Sequence, residues 1–106
     1  LNKKNFEDLE KINTTLSRFA INIQKKGLEY YKIKYNEHKI DLADPLAMTV
    51  MINDKETNYK RCNIKIILDG DKRGKDIINF NKNGNIKLAT QVSRTNFLNT
   101  LKKSLV

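Results

Sequence analysis

An α+β fold is predicted by three features of the chain. Apolar residues recur at helical spacing near the N-terminal end. Apolar and polar residues alternate through the middle. A second helical stripe closes the C-terminal end. At 106 residues and 12.3 kDa the chain has the size of one domain, so a single α+β domain over 1–106 is expected. Hydrophobic residues make up 39% of it, enough for one small core, and no apolar run approaches the roughly 20 residues that span a bilayer. No charged start followed by an apolar stretch marks a signal peptide, and a cytoplasmic location is expected.

The first helix is predicted by Phe6, Leu9, Ile12, Leu16, Phe19 and Ile23, whose spacing of three and four places them on one helical face. Asn5 suits the N-cap, and Glu7, Asp8 and Glu10 suit the positive end of the helix dipole. Lys25 and Lys26 suit its negative end, and Gly27 the C′ position. Leu28 to Tyr35, with three tyrosines and Ile33, suits a strand; the alternative is a helix that continues through Gly27 to about Asn36. Leu46, Met48, Val50 and Ile52 alternate with Thr49 and Asn53 and predict a strand after a turn at Asp44-Pro45. Cys62, Ile64, Ile66 and Leu68 alternate with Arg61, Asn63 and Lys65 and predict another, with Ile66 buried. Ile77 to Phe80 and Asn85 to Ala89 flank Asn83-Gly84, a hairpin-turn signal. Ser93 suits the N-cap of a last helix carrying Phe97, Leu98, Leu101 and Leu105.

The expected architecture is therefore an N-terminal amphipathic helix, an antiparallel sheet of about four or five strands with hairpin wings, and a C-terminal helix. Both helices would pack on one sheet face. A winged-helix-like arrangement would also need a second and third helix, which the pattern does not place.

Charge is the strongest functional lead. There are 21 Lys and Arg against 12 Asp and Glu, a formal net charge of +9. Lys, Asn and Ile together outnumber Arg and Ala many times over, the signature of AT-rich coding, so part of the lysine excess is codon drift. Drift does not explain why residues 77–106 contain Lys82, Lys87, Arg94, Lys102 and Lys103 and no acid. Those cations must face water, reach acids elsewhere or meet an anionic partner.

The loop from Leu68 to Asp76 holds Lys72 and Arg73 between Gly70 and Gly74, with Lys75 just after. Such a tip suits a phosphate backbone or a narrow minor groove; the plainer reading pairs its cations with Asp69, Asp71 and Asp76. It is not a calcium loop, because Arg73 and Phe80 stand where ligands are needed. The candidate nucleic-acid-binding residues are Lys72, Arg73, Lys75, Arg61, Lys65, Lys82, Lys87, Arg94, Lys102 and Lys103. Tyr30, Tyr31, Tyr35 and Tyr59, interleaved with Lys32, Lys34 and Lys60, suit base stacking, but on alternating strands they could not all share a face.

Catalysis is not expected. His38 is the single histidine and Cys62 the single cysteine, which excludes His-rich and Cys-based metal sites and an internal disulfide. Asp41 and Asp44 are close in sequence, yet beside Pro45 they more simply make a turn. No phosphate-binding glycine motif is present, and neither a cofactor nor a small-molecule substrate is expected.

In size, charge and codon bias the chain resembles small plasmid- or phage-encoded DNA-binding proteins of low-GC bacteria, such as the accessory proteins that mark a transfer origin. Val92 to Leu101 also resembles the recognition helix of helix-turn-helix repressors, without the first helix of that motif. The resemblance implies duplex DNA as partner and a homodimer as the binding form. Two alternatives stand beside it. One is a protein-interaction domain of a secretion or conjugation apparatus, similar to the soluble domains of channel subunits. The other is a single-stranded nucleic-acid-binding sheet, similar to the Whirly group.

Overall fold

The computed structural model describes residues 1–106. Its elements run α1 (Lys3–Glu10), α2 (Thr15–Tyr35), α3 (Ala43–Ile52), β1 (Asn58–Ile66), β2 (Asp76–Phe80), β3 (Ile86–Gln91) and α4 (Arg94–Ser104). The α+β class and the order of helices, strands and closing helix are as predicted, but the antiparallel sheet has three strands rather than four or five. The chain divides into two compact units: a helical unit, Leu1–Asn53 with Arg94–Val106, and a strand unit, Asp54–Ser93.

In the helical unit, the predicted first helix is broken in two. Asn2, not Asn5, caps α1, and Asn5 returns the bond from the third helical position, so the two asparagines form a reciprocal capping box. Thr14 and Ser17 repeat this device at the start of α2. Asn13 makes the bend with φ 55°, a left-handed conformation that asparagine tolerates better than most residues. The break changes the helical phase. Phe6 and Leu9 are buried with Ile21, whereas Leu16, Phe19 and Ile23 of the same sequence stripe are exposed along a cavity that those core residues also line.

Helix α2 runs through Gly27 and ends at Asn36, which caps it in a left-handed conformation, so Leu28–Tyr35 is helical and not a strand. Gly27 is not a terminator but a close-approach site. A Cβ there would stand 2.8 Å from Ile40 Cδ1, and Ile40 belongs to the buried cluster with Phe6, Leu9, Ile21 and Leu105. Leu46–Asn53 is also helical. Pro45 lies in the first turn of α3, where its missing N–H costs nothing, and Asp44 complements the dipole there. Thr49 is buried and donates its hydroxyl to the Pro45 carbonyl at 2.9 Å. Helices α3 and α4 are joined by a reciprocal amide pair: Asn53 Nδ2 donates to Asn96 Oδ1 at 2.8 Å, and Asn96 Nδ2 to the Asn53 carbonyl at 2.9 Å.

In the strand unit, β1 is central in the order β2-β1-β3. The C-terminal half of β1 pairs with β2 and its N-terminal half with β3, and Cys62 is the partner of both Phe80 and Ile86. Asn83-Gly84 is therefore not the tip of a hairpin between paired strands. It lies in a crossover that carries the chain from one side of β1 to the other. The crossing is tight: a Cβ on Gly84 would stand 2.5 Å from the Cys62 backbone, so only glycine fits. Arg61 Nη1 donates to the Gly84 carbonyl at 3.1 Å, and the Asn85 N–H to Asn63 Oδ1 at 3.2 Å.

The register confirms the predicted alternation of β1. Cys62 and Ile64 share a face with Ile78, Phe80 and Ile86, and Arg61, Asn63 and Lys65 point the other way. Burial differs from expectation. Cys62 is fully buried, but Ile66 is 52% exposed.

Candidate functional site

The loop between β1 and β2 is an ordered turn. The Ile67 N–H donates to the Lys75 carbonyl at 3.0 Å and the Gly74 N–H to the Ile67 carbonyl at 2.8 Å. Inside this closure, the Arg73 N–H donates to the Gly70 carbonyl and the Lys75 N–H to the Lys72 carbonyl, each at 3.0 Å. Gly70 and Gly74 have φ of 74° and 85°, a region that side chains disfavour. The glycines thus shape a compact tip that holds Lys72, Arg73 and Lys75 in solvent. None of the three belongs to an ion pair, whereas in the helical unit cations such as Lys25, 3.1 Å from Glu10, are paired.

The other candidates are less free. Arg61 is spent on the crossover carbonyl. Lys87 Nζ sits 4.1 Å from the Tyr59 ring centroid, a cation–π contact. Lys82 and Arg61 line a shallow depression with Phe80, Asn81 and Lys60, the last with its ammonium 5.7 Å from the Phe80 centroid. Lys65 is exposed on the face of Arg61. The remaining three lie on α4 in the helical unit. Arg94 Nη2 donates to Asn5 Oδ1 at 3.0 Å, tying α4 to α1. Lys102 is half-buried and Lys103 exposed. Asp8 accepts from Lys11 at 3.2 Å, and this bond, aided by the fields of Lys11, Lys102 and Lys4, holds its carboxyl below the usual range. The ten cations are thus divided between the two units.

The tyrosines are rearranged by the helical conformation of 28–35. Instead of pointing to opposite faces of a strand, Tyr30, Tyr31 and Tyr35 gather at the end of α2, with ring centroids 5.3–6.3 Å apart. Lys34 Nζ lies 5.2 Å from the rings of Tyr30 and Tyr35 and donates to the Tyr30 hydroxyl at 2.7 Å. Hydrogen bonding to Tyr30, and after it to Tyr35, raises the ammonium's pKa. Tyr59 stands apart in the strand unit, where desolvation and the Asp54 carboxylate, 3.3 Å away, push its phenol above the ordinary value.

Asp41 and Asp44, set aside as turn residues, lead into and open α3. Both are exposed, and neither belongs to an ion pair. His38 is exposed in the same connecting segment. Cys62 is a packed residue beneath the strand crossover, as its place in the alternation implied. No group of three or more His, Cys, Asp and Glu side chains converges as a metal site would require.

No family model matches the chain, and no curated protein matches it. Among solved structures, the fold is similar to that of a plant nucleoside hydrolase, the PpNRh1 enzyme, with a TM-score of 0.84 and 22% sequence identity. The match covers 99% of this chain and 36% of the hydrolase chain. The chain therefore spans about a third of the length of that protein, and the likeness is one of fold.

Proposed function

We propose that this chain is one portion of a protein of nucleoside hydrolase type. The observation that carries this reading is the near-complete match: 99% of the residues find counterparts within 36% of a single hydrolase chain. The surface of the strand unit supports it. Leu68, Ile77, Ile78 and Phe80 are all exposed, and further polypeptide would cover such an apolar surface. Glycosidic bonds are cleaved with the help of carboxylates that support an oxocarbenium-like transition state. In this chain Asp44 is an exposed carboxylate outside the ion pairs and is suited to that task, whereas Asp41 lies in the field of the Leu1 ammonium. The test is to isolate the natural polypeptide with an antibody raised against this chain, measure its mass, and assay release of free base from a panel of nucleosides. A polypeptide well beyond 12.3 kDa that cleaves a nucleoside, and loses the activity on Asp44→Asn, is expected. A species of this mass that is inert toward every nucleoside overturns the reading.

A second reading, binding of duplex DNA through phosphate contacts, is favoured by one observation: Lys72, Arg73 and Lys75 stand unpaired on an ordered tip. Their replacement together by alanine is expected to weaken binding, and binding itself to fall steeply between about 50 and 200 mM salt. Equal affinity of the folded variant for duplex and single-stranded probes alike, or no binding in dilute buffer, removes this reading.

A further inference from the structure

The turn between β2 and β3 contains the most labile asparagine of the chain. Of the fourteen asparagines, Asn83 alone is followed by glycine. The side-chain amide of such an asparagine is open to attack by the next backbone nitrogen, because glycine has no Cβ to hinder the approach. At this position the glycine is also irreplaceable, since a Cβ on residue 84 would stand 2.5 Å from the Cys62 backbone. The residue that admits the crossover is therefore the residue that makes Asn83 labile. The same crossover restrains the reaction. Asn83 is exposed but Gly84 is buried, and the Gly84 N–H, which must lose its proton before attack, donates to the Asn81 carbonyl at 3.1 Å. On either side, the Asn83 N–H donates to Asn81 Oδ1 at 3.0 Å and the Gly84 carbonyl accepts from Arg61 Nη1 at 3.1 Å. Turning the Gly84 nitrogen toward Asn83 Cγ breaks the bond to Asn81 and lifts Gly84 off the Cys62 peptide.

We infer that Asn83 is a self-modification site, converted to aspartate and isoaspartate when the crossover opens, and that isoaspartate keeps the crossover from closing again. In the open turn a base from solvent removes the Gly84 amide proton. The nitrogen forms a bond to Asn83 Cγ, the Cγ–Nδ2 bond breaks, and ammonia leaves, closing a cyclic imide. Water then adds to one of the two imide carbonyls. Addition at Cγ gives aspartate. Addition at the main-chain carbonyl gives isoaspartate, in which the backbone runs through Cβ and Cγ and is one carbon longer. One water enters and one ammonia leaves, so solvent supplies every reactant. The lengthened backbone does not fit a passage in which Gly84 already lies against the Cys62 peptide, because close-packed surroundings have no room for an added methylene. Either product also places the first acidic residue within 77–106, next to Lys82. This inference concerns only the strand unit and does not rest on either activity proposed above.

The test is peptide mapping by mass spectrometry after incubation of the full chain at mildly alkaline pH, both folded and in guanidinium chloride. Conversion at Asn83 is expected to be at least about tenfold slower in the folded chain, because only the locally open fraction reacts. Arg61→Ala, which frees the Gly84 carbonyl, is expected to speed conversion in the folded chain and to leave the rate in denaturant unchanged. The comparison of folded and denatured parent stands whether or not that variant folds. The isoaspartyl protein, isolated by chromatography, is expected to lose amide-exchange protection along β1, whereas Asn83→Asp, with its ordinary backbone, keeps it. Absence of conversion in denaturant, equal rates in the folded and denatured parent, a folded Arg61→Ala variant that converts no faster than the parent, or an isoaspartyl protein with the parent's exchange pattern would each overturn the proposal.

Discussion

The helical unit and the strand unit solve the same problem by different means. The helical unit removes apolar side chains from water: Phe6, Leu9, Ile21, Ile40 and Leu105 form one buried cluster, ringed by half-buried Ile12, Leu28 and Leu101. The strand unit buries little. Its order rests on backbone ladders, on the closed turn at Ile67–Lys75, and on a crossover so close that Gly84 lies against the Cys62 peptide. Local hydrogen bonding and a steric fit therefore hold the second unit, whereas hydrophobic burial holds the first. Substitutions that delete volume should be felt in one, and substitutions that add a single atom in the other.

The largest expected effect is in the helical unit. Leu9 is 3% exposed, and Leu9→Ala should cost about 2–5 kcal/mol through lost transfer free energy and an unfilled cavity, read as a lower midpoint in urea. A shift below about 1 kcal/mol would mean that the cluster is not a close-packed core. Next comes Gly84→Ala, in which one methyl meets backbone that cannot swing aside. A loss of about 1–3 kcal/mol, with faster amide exchange along β1, is expected; an unchanged exchange pattern would show that the crossover has slack. Ile66→Asp should be mild, within about 0.5 kcal/mol, because the side chain already meets water. Unfolding by this change would place Ile66 in a core and remove the contrast between the units.

The smallest effect is a titration. The folded environment raises the Tyr59 pKa, so it favours the neutral phenol. That contribution to stability is present below about pH 10, the ordinary value, and is lost as pH rises through the folded value. With no tryptophan in the chain, the phenolate absorbance of Tyr59, isolated as the difference from Tyr59→Phe, should rise at a lower pH in Asp54→Asn than in the parent. A Tyr59 titration unchanged by Asp54→Asn would disconnect the two.

How much of this was legible in the sequence follows the same division. In β1, Arg61, Asn63 and Lys65 interrupt the apolar residues at every second position, and a period of two with charged punctuation suits only a strand. In Leu46–Asn53 the apolar run is nearly continuous, so alternation and helical spacing fit it equally, and the eight-residue window could not choose. Tyr30 to Tyr35 misled through β propensity, which yields to tertiary context. Gly27 misled because a glycine that ends a helix and a glycine that admits a neighbour look the same until Ile40 is in place. At the candidate site, the tip cations were readable because Gly70 and Gly74 announce a turn. The commitments of Arg61 to Gly84 and of Arg94 to Asn5 were not, because they join residues far apart in the chain.

The sequence alone determined the α+β class, the β1 alternation, the basic tip between two glycines and the excess of cations, since each follows from local spacing, backbone sterics or composition. Tertiary structure decided which apolar residues of α2 are buried, that β2 and β3 flank β1 rather than each other, and what the cations of the sheet and of α4 contact. Those outcomes depend on where distant segments meet. A phase change at Asn13 or a missing Cβ at Gly84 redirects many side chains while altering almost nothing in the local pattern.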